Sequence, residues 1–338
     1  MSETGGSGPP AVSVVAVNWN GRWDCEAMLG SIRAQELPPT EIVVVDNGSQ
    51  DGSREWFQAQ RQVRVISNST NLGFAAAVNQ GLRVTDSTYV LLCNLDVVLD
   101  PGFIAAVVAR AETASDIGSV GGRLRNGRGD QSRLDSTGHL LFRSGWVQNR
   151  DQGAPDDSRH RLAEEVFGVS AAAALYRRRM LDDVALGGEV LCEDFFAYLE
   201  DVDLDWRARW RGWQAWYEPA AGASHRRGGS GLHTTAAIER HVVANRVSVW
   251  VRNAPDNWLR DGHLASAGSL FALRTARAAV RHPTAVAGAA DAIRRLPQSR
   301  RERRAIKARR KVEAAELSRW AAPTPWRLLL AARGRGPR

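Results

Sequence analysis

Residues 41–53 read EIVVVDNGSQDGS, and the fold is decided there. Four β-branched residues stand in a row with no polar residue between them. A strand that is apolar at every position, not at every second one, is covered on both faces, as inside a parallel sheet. The run stops at Asp46, Asn47, Gly48 and Ser49, all turn formers. Working outward, residues 12–17 (VSVVAV) form a similar run that stops at Asn18, Trp19, Asn20 and Gly21. Residues 63–67 and 89–94 supply a third and a fourth. Helical periodicity fills the gaps, up to residue 32 and over 53–60 and 71–83. This alternation predicts an α/β fold, a mostly parallel sheet flanked by helices. Asn18, Asp46, Asn71 and Asp96 follow predicted strands, at the edge where open α/β sheets bind ligands.

Residues 119–165 are polar and rich in Gly, Arg, Asp and Ser, which predicts a hairpin and loops over the sheet edge. Residues 166–175 (VFGVSAAAAL) predict an apolar strand, 177–184 a helix, 200–213 a helix, 214–218 a strand and 233–253 a long helix. Three more helices are expected at 266–280, 283–295 and 300–320. The Gly, Ser and Pro content of residues 1–10 predicts a disordered tail. One domain over 11–261 and a helical extension over 262–338 complete the expected organisation.

Residues 195–212, FFAYLEDVDLDWRARWRG, carry the most specific chemistry. Glu200, Asp201, Asp203 and Asp205 crowd the start of a helix. Helix N-termini favour acidic groups, but one or two satisfy that need. Two neighbouring carboxylates in a cleft repel, so one keeps its proton to higher pH and can serve as a base. Arg207, Arg209 and Arg211 are placed to pair with some of the four. Asp96, in Asn94-Leu95-Asp96, is a second acidic site, with Asp100 nearby. Hard divalent cations take carboxylate oxygens and share them with phosphates. His225 opens the Gly-rich stretch GASHRRGGSG (222–231) and could add a ligand, while Arg226 and Arg227 could meet phosphate oxygens.

The segments VVVDNGSQDGS (43–53), NLGFAAAVNQG (71–81), LLCNLD (91–96) and FFAYLEDVDLDWRARWRGW (195–213) occur in one order and spacing. Together they resemble the family 2 inverting glycosyltransferases of GT-A fold, and most of all their bacterial rhamnosyltransferase-like branch, which builds cell-surface polysaccharides. The resemblance covers about residues 11–255. It implies that Val17, Asn18 and Asp46 hold the nucleotide base, Asp46 accepting from a ring N–H. It implies that Asn71, Gly73 and Asn79 line the nucleotide pocket, with Gly73 admitting a close backbone approach. Asn94, Leu95 and Asp96 stand at the family's DxD motif. Asp96 would bind the divalent metal, Mg2+ or Mn2+, and Asn94 replaces the first acid. His225 would complete the metal site. Glu200 and Asp201 match the ED pair, with Asp201 as general base. The implied donor is a nucleotide sugar, dTDP-rhamnose by branch, and the implied acceptor a glycan or polyprenyl-linked glycan. Residues 187–194 (GGEVLCED) depart from the family's usual Gly-Gly-Phe-Asp-Glu run, on the side that would face the acceptor.

The formal net charge of +8 first suggests a polyanionic partner. Its distribution changes that reading. Residues 262–338 hold 18 Lys+Arg against 4 Asp+Glu, a surplus of +14, which leaves −6 for residues 1–261. An acidic body argues against a nucleic-acid-binding module, and no nucleic-acid partner is expected. The run RRLPQSRRERRAIKARRK (294–311), followed by Trp320, Trp326 and the leucines at 328–330, predicts contact with an anionic membrane surface through 294–330. Cys25, Cys93 and Cys192 form no CxxC pair, and no apolar run has membrane-spanning length. The N-terminus lacks a basic region before its apolar run. The expected location is cytoplasmic, peripheral at the inner face of the membrane. A sugar-1-phosphate nucleotidyltransferase is disfavoured, because residues 18–24 (NWNGRWD) hold no phosphate loop with Arg and Lys. The alternative is a nucleic-acid- or membrane-binding scaffold with a non-catalytic domain of the same fold.

Overall fold

The computed structural model describes residues 8–127, 132–227, 236–260 and 283–324, with parts of 268–280. Strands β1 (Val12–Asn18), β2 (Glu41–Asn47), β3 (Val63–Asn68) and β4 (Tyr89–Cys93) lie in the order β4-β1-β2-β3, all parallel. Helices α1 (Cys25–Arg33), α2 (Ser53–Gln58) and α3 (Phe74–Arg83) connect them. Val14, Val44 and Leu91 pack with Met28, Leu29 and Phe103 on one face of the sheet. Val15, Val43 and Val45 pack with Ala75, Val78 and Leu82 on the other. Each such side chain contributes about 1.5–3 kcal/mol on full burial, so a strand covered twice is apolar throughout. That is the physical origin of the run at 42–45.

The chain continues through β5 (Val97–Leu99), α4 (Phe103–Glu112), β6 (Ile117–Asn126), β7 (Leu134–Ser136), β8 (His139–Phe142) and β9 (Val147–Asn149). Then come β10 (Glu164–Val166), β11 (Ala173–Arg177), α5 (Arg178–Val184), α6 (Glu200–Trp210), β12 (Gln214–His225) and α7 (Ala236–Asn253). Beyond β4 the sheet runs β11-β6-β12-β10. Strand β11 is antiparallel to both neighbours, whereas β6 and β12 are parallel. Strands β8 and β9 belong to a separate three-stranded sheet with Ala321–Ala322.

Three expectations are corrected. The run 166–175 is not one strand: β10 ends at Val166 and β11 starts at Ala173. The chain between them passes so close to α6 that a Cβ on Gly168 would strike the Asp205 carboxylate. Strand β12 does not stop at residue 218 but reaches His225 through an irregularity between Glu218 and Gly222. The helices expected at 283–295 and 300–320 are replaced by one helix, Thr284–Ala308, that runs through Pro297, and a short one, Ala314–Ser318. Proline removes one helical N–H bond, but packing along α7 carries the helix through. Gly288 fits there because a Cβ would lie 2.5 Å from the Arg240 carbonyl. Residues 1–7, parts of 266–280, Trp326 and 328–330 lie outside the described residues, and the described positions of 268–280 are helical.

Candidate functional site

Strand order reverses at β1, whose neighbours are β2 and β4, and a cleft of about 410 Å3 opens there at the carboxyl ends of the strands. That volume suits a ligand of nucleotide size. Val17, Asn71, Asn94, Leu95, Asp96, Glu200, Asp201 and His225 all line it. Four other expected residues do not reach the wall.

Asn18 and Asp46 are fully buried. The Asn18 amide donates to Asp46 Oδ1 at 2.6 Å, Ser53 Oγ at 2.8 Å and Ser49 Oγ at 3.1 Å. The other Asp46 oxygen accepts from the N–H groups of Gly48 and Ser49 at 3.2 Å and pairs with Arg54 at 3.1 Å. These two residues tie the loop after β2 to the end of β1. Asn79 is also buried and holds the backbone of Leu191, donating at 2.8 Å and accepting at 3.0 Å. Gly73 has φ of +92°, and a Cβ there would lie 2.6 Å from the Phe196 carbonyl. What approaches Gly73 so closely is the aromatic loop before α6. On the wall itself, Asn71 accepts from Gly73 N–H at 2.9 Å and from Asn47, which sequence reading did not single out.

Asp96 and His225 meet because β5 pairs with the end of β12, His225 opposite Val97. His225 Nε2 lies 3.3 Å from Asp96 Oδ1, and its Nδ1 lies 2.8 Å from Asp135 Oδ2. Burial works against the imidazolium, but the bonds to Asp135 and Asp96 outweigh it and lift the His225 pKa to about 9. Among the described residues, no group of three or more His, Cys, Asp or Glu forms a metal cage. The donor set nevertheless fits an ion that shares its ligands with phosphate. One carboxylate and one imidazole are 3.3 Å apart. Neighbouring ligands on one octahedral ion stand about 3 Å apart when each bond is ~2.1 Å. Asp135 orients the imidazole as outer-shell carboxylates do. Of the expected phosphate cations, Arg226 pairs with Asp24 and Arg227 with Asp135. Asp100 pairs with Arg125 at 2.6 Å.

The four carboxylates of α6 divide. Asp203 is fully buried and bonds Arg207 at 2.8 Å, Arg252 at 2.8 Å and Asn253 at 2.8 Å, a structural knot. Arg209 and Arg211 pair not with the helix's own acids but with Glu165 and Asp183. Glu200 is buried, and its Oε2 has no hydrogen-bond partner. Burial, reinforced by the Asp201 charge, holds its carboxyl protonated far above the ordinary glutamate range. Asp201 accepts from Val202 N–H at 2.8 Å and Ala171 N–H at 3.3 Å and still faces the cleft. Asp205, one turn on, is buried against His139 at 2.6 Å, and burial lifts its pKa to about 6.

The loop that presents α6 is strained: Phe196, Tyr198 and Leu199 all have positive φ, a cost of about 1–3 kcal/mol each. Asn245 offsets this by donating to the carbonyls of Phe195, Ala197 and Tyr198 at 2.8–3.0 Å. Arg295, from the helix Thr284–Ala308, holds Asn245 Oδ1 at 2.9 Å. His139, Asp135, Asn47 and Asn245 escape sequence reading because each acts through a partner distant in the chain.

The family model described as Glycosyl transferase family 2 matches residues 13–185. An N-acetylglucosaminyl-diphospho-decaprenol L-rhamnosyltransferase of Mycobacterium tuberculosis is 29% identical over 280 residues, covering 75% of this chain and 90% of that one. A poly-beta-1,6-N-acetyl-D-glucosamine synthase of Staphylococcus epidermidis is 22% identical over 215 residues, 62% of this chain and 48% of that one. Among solved structures, GalNAc-T7 with UDP, GalNAc and Mn2+ superposes with TM-score 0.59 at 15% identity, over 79% of this chain and 51% of that one. A mannosyltransferase of Pyrobaculum calidifontis with GDP-Man and Mn2+ gives 0.52 at 17%, over 93% and 86%. At such identities the two structures bear on the fold, which they share with this chain.

Proposed function

The chain belongs to glycosyl transferase family 2 and is a glycosyltransferase; from that premise we propose that it transfers a sugar from a nucleotide-sugar donor, with inversion, to a hydroxyl of a lipid-linked glycan. The observation that carries this reading is the sharing of one cleft by Asp201 and the Asp96–His225 pair. The acceptor hydroxyl oxygen bonds the anomeric carbon while the bond from that carbon to the diphosphate oxygen breaks. The hydroxyl proton goes to Asp201, and the negative charge leaves on the nucleoside diphosphate. Glu200, held protonated by burial, is not the base but a neutral neighbour that spares Asp201 a second adjacent charge. Asp96 and His225 would hold a divalent cation, whose charge offsets that of the departing diphosphate. Val17, Asn71, Asn94 and Leu95 line the cleft and in this reading meet the donor; Asn18, Asp46, Gly73 and Asn79 would act on the donor through the loops they hold.

The name of the mycobacterial relative supports L-rhamnose as the sugar and a diphospho-polyprenol-linked N-acetylglucosamine as acceptor; dTDP as the carrier is what the family resemblance implies. A membrane-linked acceptor suits a protein held at an anionic surface on the cytoplasmic side. Among the described residues, no helix is long and apolar enough to cross a membrane. In the helix Thr284–Ala308, Arg294, Arg300, Arg301 and Arg304 are exposed, as are Val286 and Ile293. These are the residues available to a lipid surface. Arg295, Arg303 and Lys307 instead bond Asn245, Asp256 and the Val251 carbonyl.

The deciding experiment is a thermal-shift panel of UDP-, GDP- and dTDP-sugars with and without Mn2+, followed by a transfer assay with the stabilising donor. Metal-dependent stabilisation by one donor is expected. No stabilisation by any of them sinks the proposal. Flotation with anionic liposomes tests the surface contact, which is lost if Arg294, Arg300, Arg301 and Arg304 all become Ser.

A further inference from the structure

Asp201 and Asp205 are four residues apart on α6 and therefore share one face. His139, the first residue of β8, sits against both. Its backbone N–H donates to the Gly168 carbonyl at 2.8 Å, which fixes the strand against the chain that passes α6. Its Nδ1 is 2.6 Å from Asp205 Oδ2. The other Asp205 oxygen accepts from Val169 N–H at 3.3 Å, so the carboxylate that grips the imidazole is itself held. The imidazole is thus pinned at one nitrogen. The remaining nitrogen, Nε2, stands 3.6 Å from Asp201 Oδ2, and both residues line the cleft.

We infer that His139 is a positioning residue for the proposed base: held by Asp205 and standing beside Asp201, it orients the Asp201 carboxylate in the cleft and places a positive charge next to it. The inference rests on the reading of Asp201 as base. With Nδ1–H turned to Asp205, a second proton on Nε2 points at Asp201. Asp201 Oδ1 is meanwhile held by Val202 N–H and Oδ2 by Ala171 N–H. Two backbone N–H donors thus hold one Asp201 oxygen each, and the His139 ring stands within ion-pair distance of Oδ2. The groups around His139 favour its charged form on balance. Burial opposes the charge, but Asp201 and Asp205 raise the imidazole's pKa above its ordinary value, while Arg227 pulls it down. Glu200 and the Tyr176 hydroxyl complete the surroundings of the carboxylates, and burial keeps both protonated well beyond their usual ranges. The positive imidazole therefore stands within ion-pair distance of the Asp201 carboxylate.

Two experiments on the full chain test this. In 15N-histidine spectra, the His139 signal is identified by its loss in His139→Gln. Its titration should lie above that of an ordinary histidine and move to lower pH in Asp201→Asn. A His139 that titrates at or below an ordinary histidine, or whose titration ignores Asp201→Asn, overturns the inference without need of any substrate. The second is transfer from dTDP-rhamnose to a synthetic N-acetylglucosaminyl-diphospho-prenol. His139→Gln and the isosteric Asp205→Asn should each lower kcat by about 10–100-fold, the usual cost of losing an orienting partner. The donor KM should stay put, and the acid limb of kcat/KM should move to higher pH. A fall in kcat with an unmoved limb means a structural role only and overturns the proposal. An inactive Asp201→Asn beside a His139→Gln like the unsubstituted enzyme sinks the positioning role and leaves the base assignment standing. A fully active Asp201→Asn sinks the base assignment itself.

Discussion

At the end of β2, Asp46 accepts from Asn18, Gly48 and Ser49, pairs with Arg54, and keeps no exposed surface. At the start of α6, Asp201 also accepts two backbone N–H groups, yet 18% of its side chain stays open to the cleft. Both are acids at the ligand-binding edge of the same sheet. The first is consumed by the loop it holds, and the second has lone pairs left over. The count of internal partners, not proximity to the edge, separates a residue that builds the site from one that works in it.

The largest effect expected is from Asp201→Asn. Loss of a general base costs about 10²–10⁴ in kcat, and nucleotide affinity should be spared in a calorimetric titration. A variant that loses donor binding instead would place Asp201 with the builders. Next comes Asp203→Ala. It leaves Arg207 and Arg252 buried without their carboxylate, a loss of about 3–5 kcal/mol visible in urea unfolding. Asn18→Ala strips the Asp46 carboxylate of its amide donor and should cost about 1–3 kcal/mol in the same measurement. If Asn18→Ala weakens nucleotide binding with stability unchanged, the contrast between the two edges fails. The smallest effect is that of Glu200→Gln. The folded chain holds the Glu200 proton above its unfolded value, so the glutamate's favourable contribution is complete below about pH 4.3 and is lost as pH rises through the folded value. Glutamine stays neutral throughout. The variant should therefore melt higher than the unsubstituted protein at pH 8, and the two should converge near pH 4.

Strands β2 and β4 are legible in the sequence because burial on two faces leaves their centres wholly apolar, β1 because only Ser13 breaks its run, and the edge strand β3 by its β-branched residues Val63, Val65 and Ile66. The same rule misleads at 166–175. There the small residues are needed for a close pass over α6, and Gly168 marks that pass, not a strand interior. Glu200, Asp201, Asp96 and His225 are legible by residue type and spacing. His139 is not, since a four-residue strand gives little periodicity and its chemistry comes from Asp205, far along the chain. Charge summed over 262–338 describes the tail in bulk but not its sides. Packing against α7 turns Arg295 and Arg303 inward to amide and carbonyl oxygens, and Arg309 is turned to the Ala185 carbonyl at the end of α5.

Arg295 reaches Asn245, and Asn245 gathers the three carbonyls of the strained loop before α6. The molecule is therefore not divisible where its charge changes sign. A shortened chain that kept every cleft-lining residue but ended before the helix Thr284–Ala308 would retain the parts of the reaction centre and lose the latch that keeps them aligned.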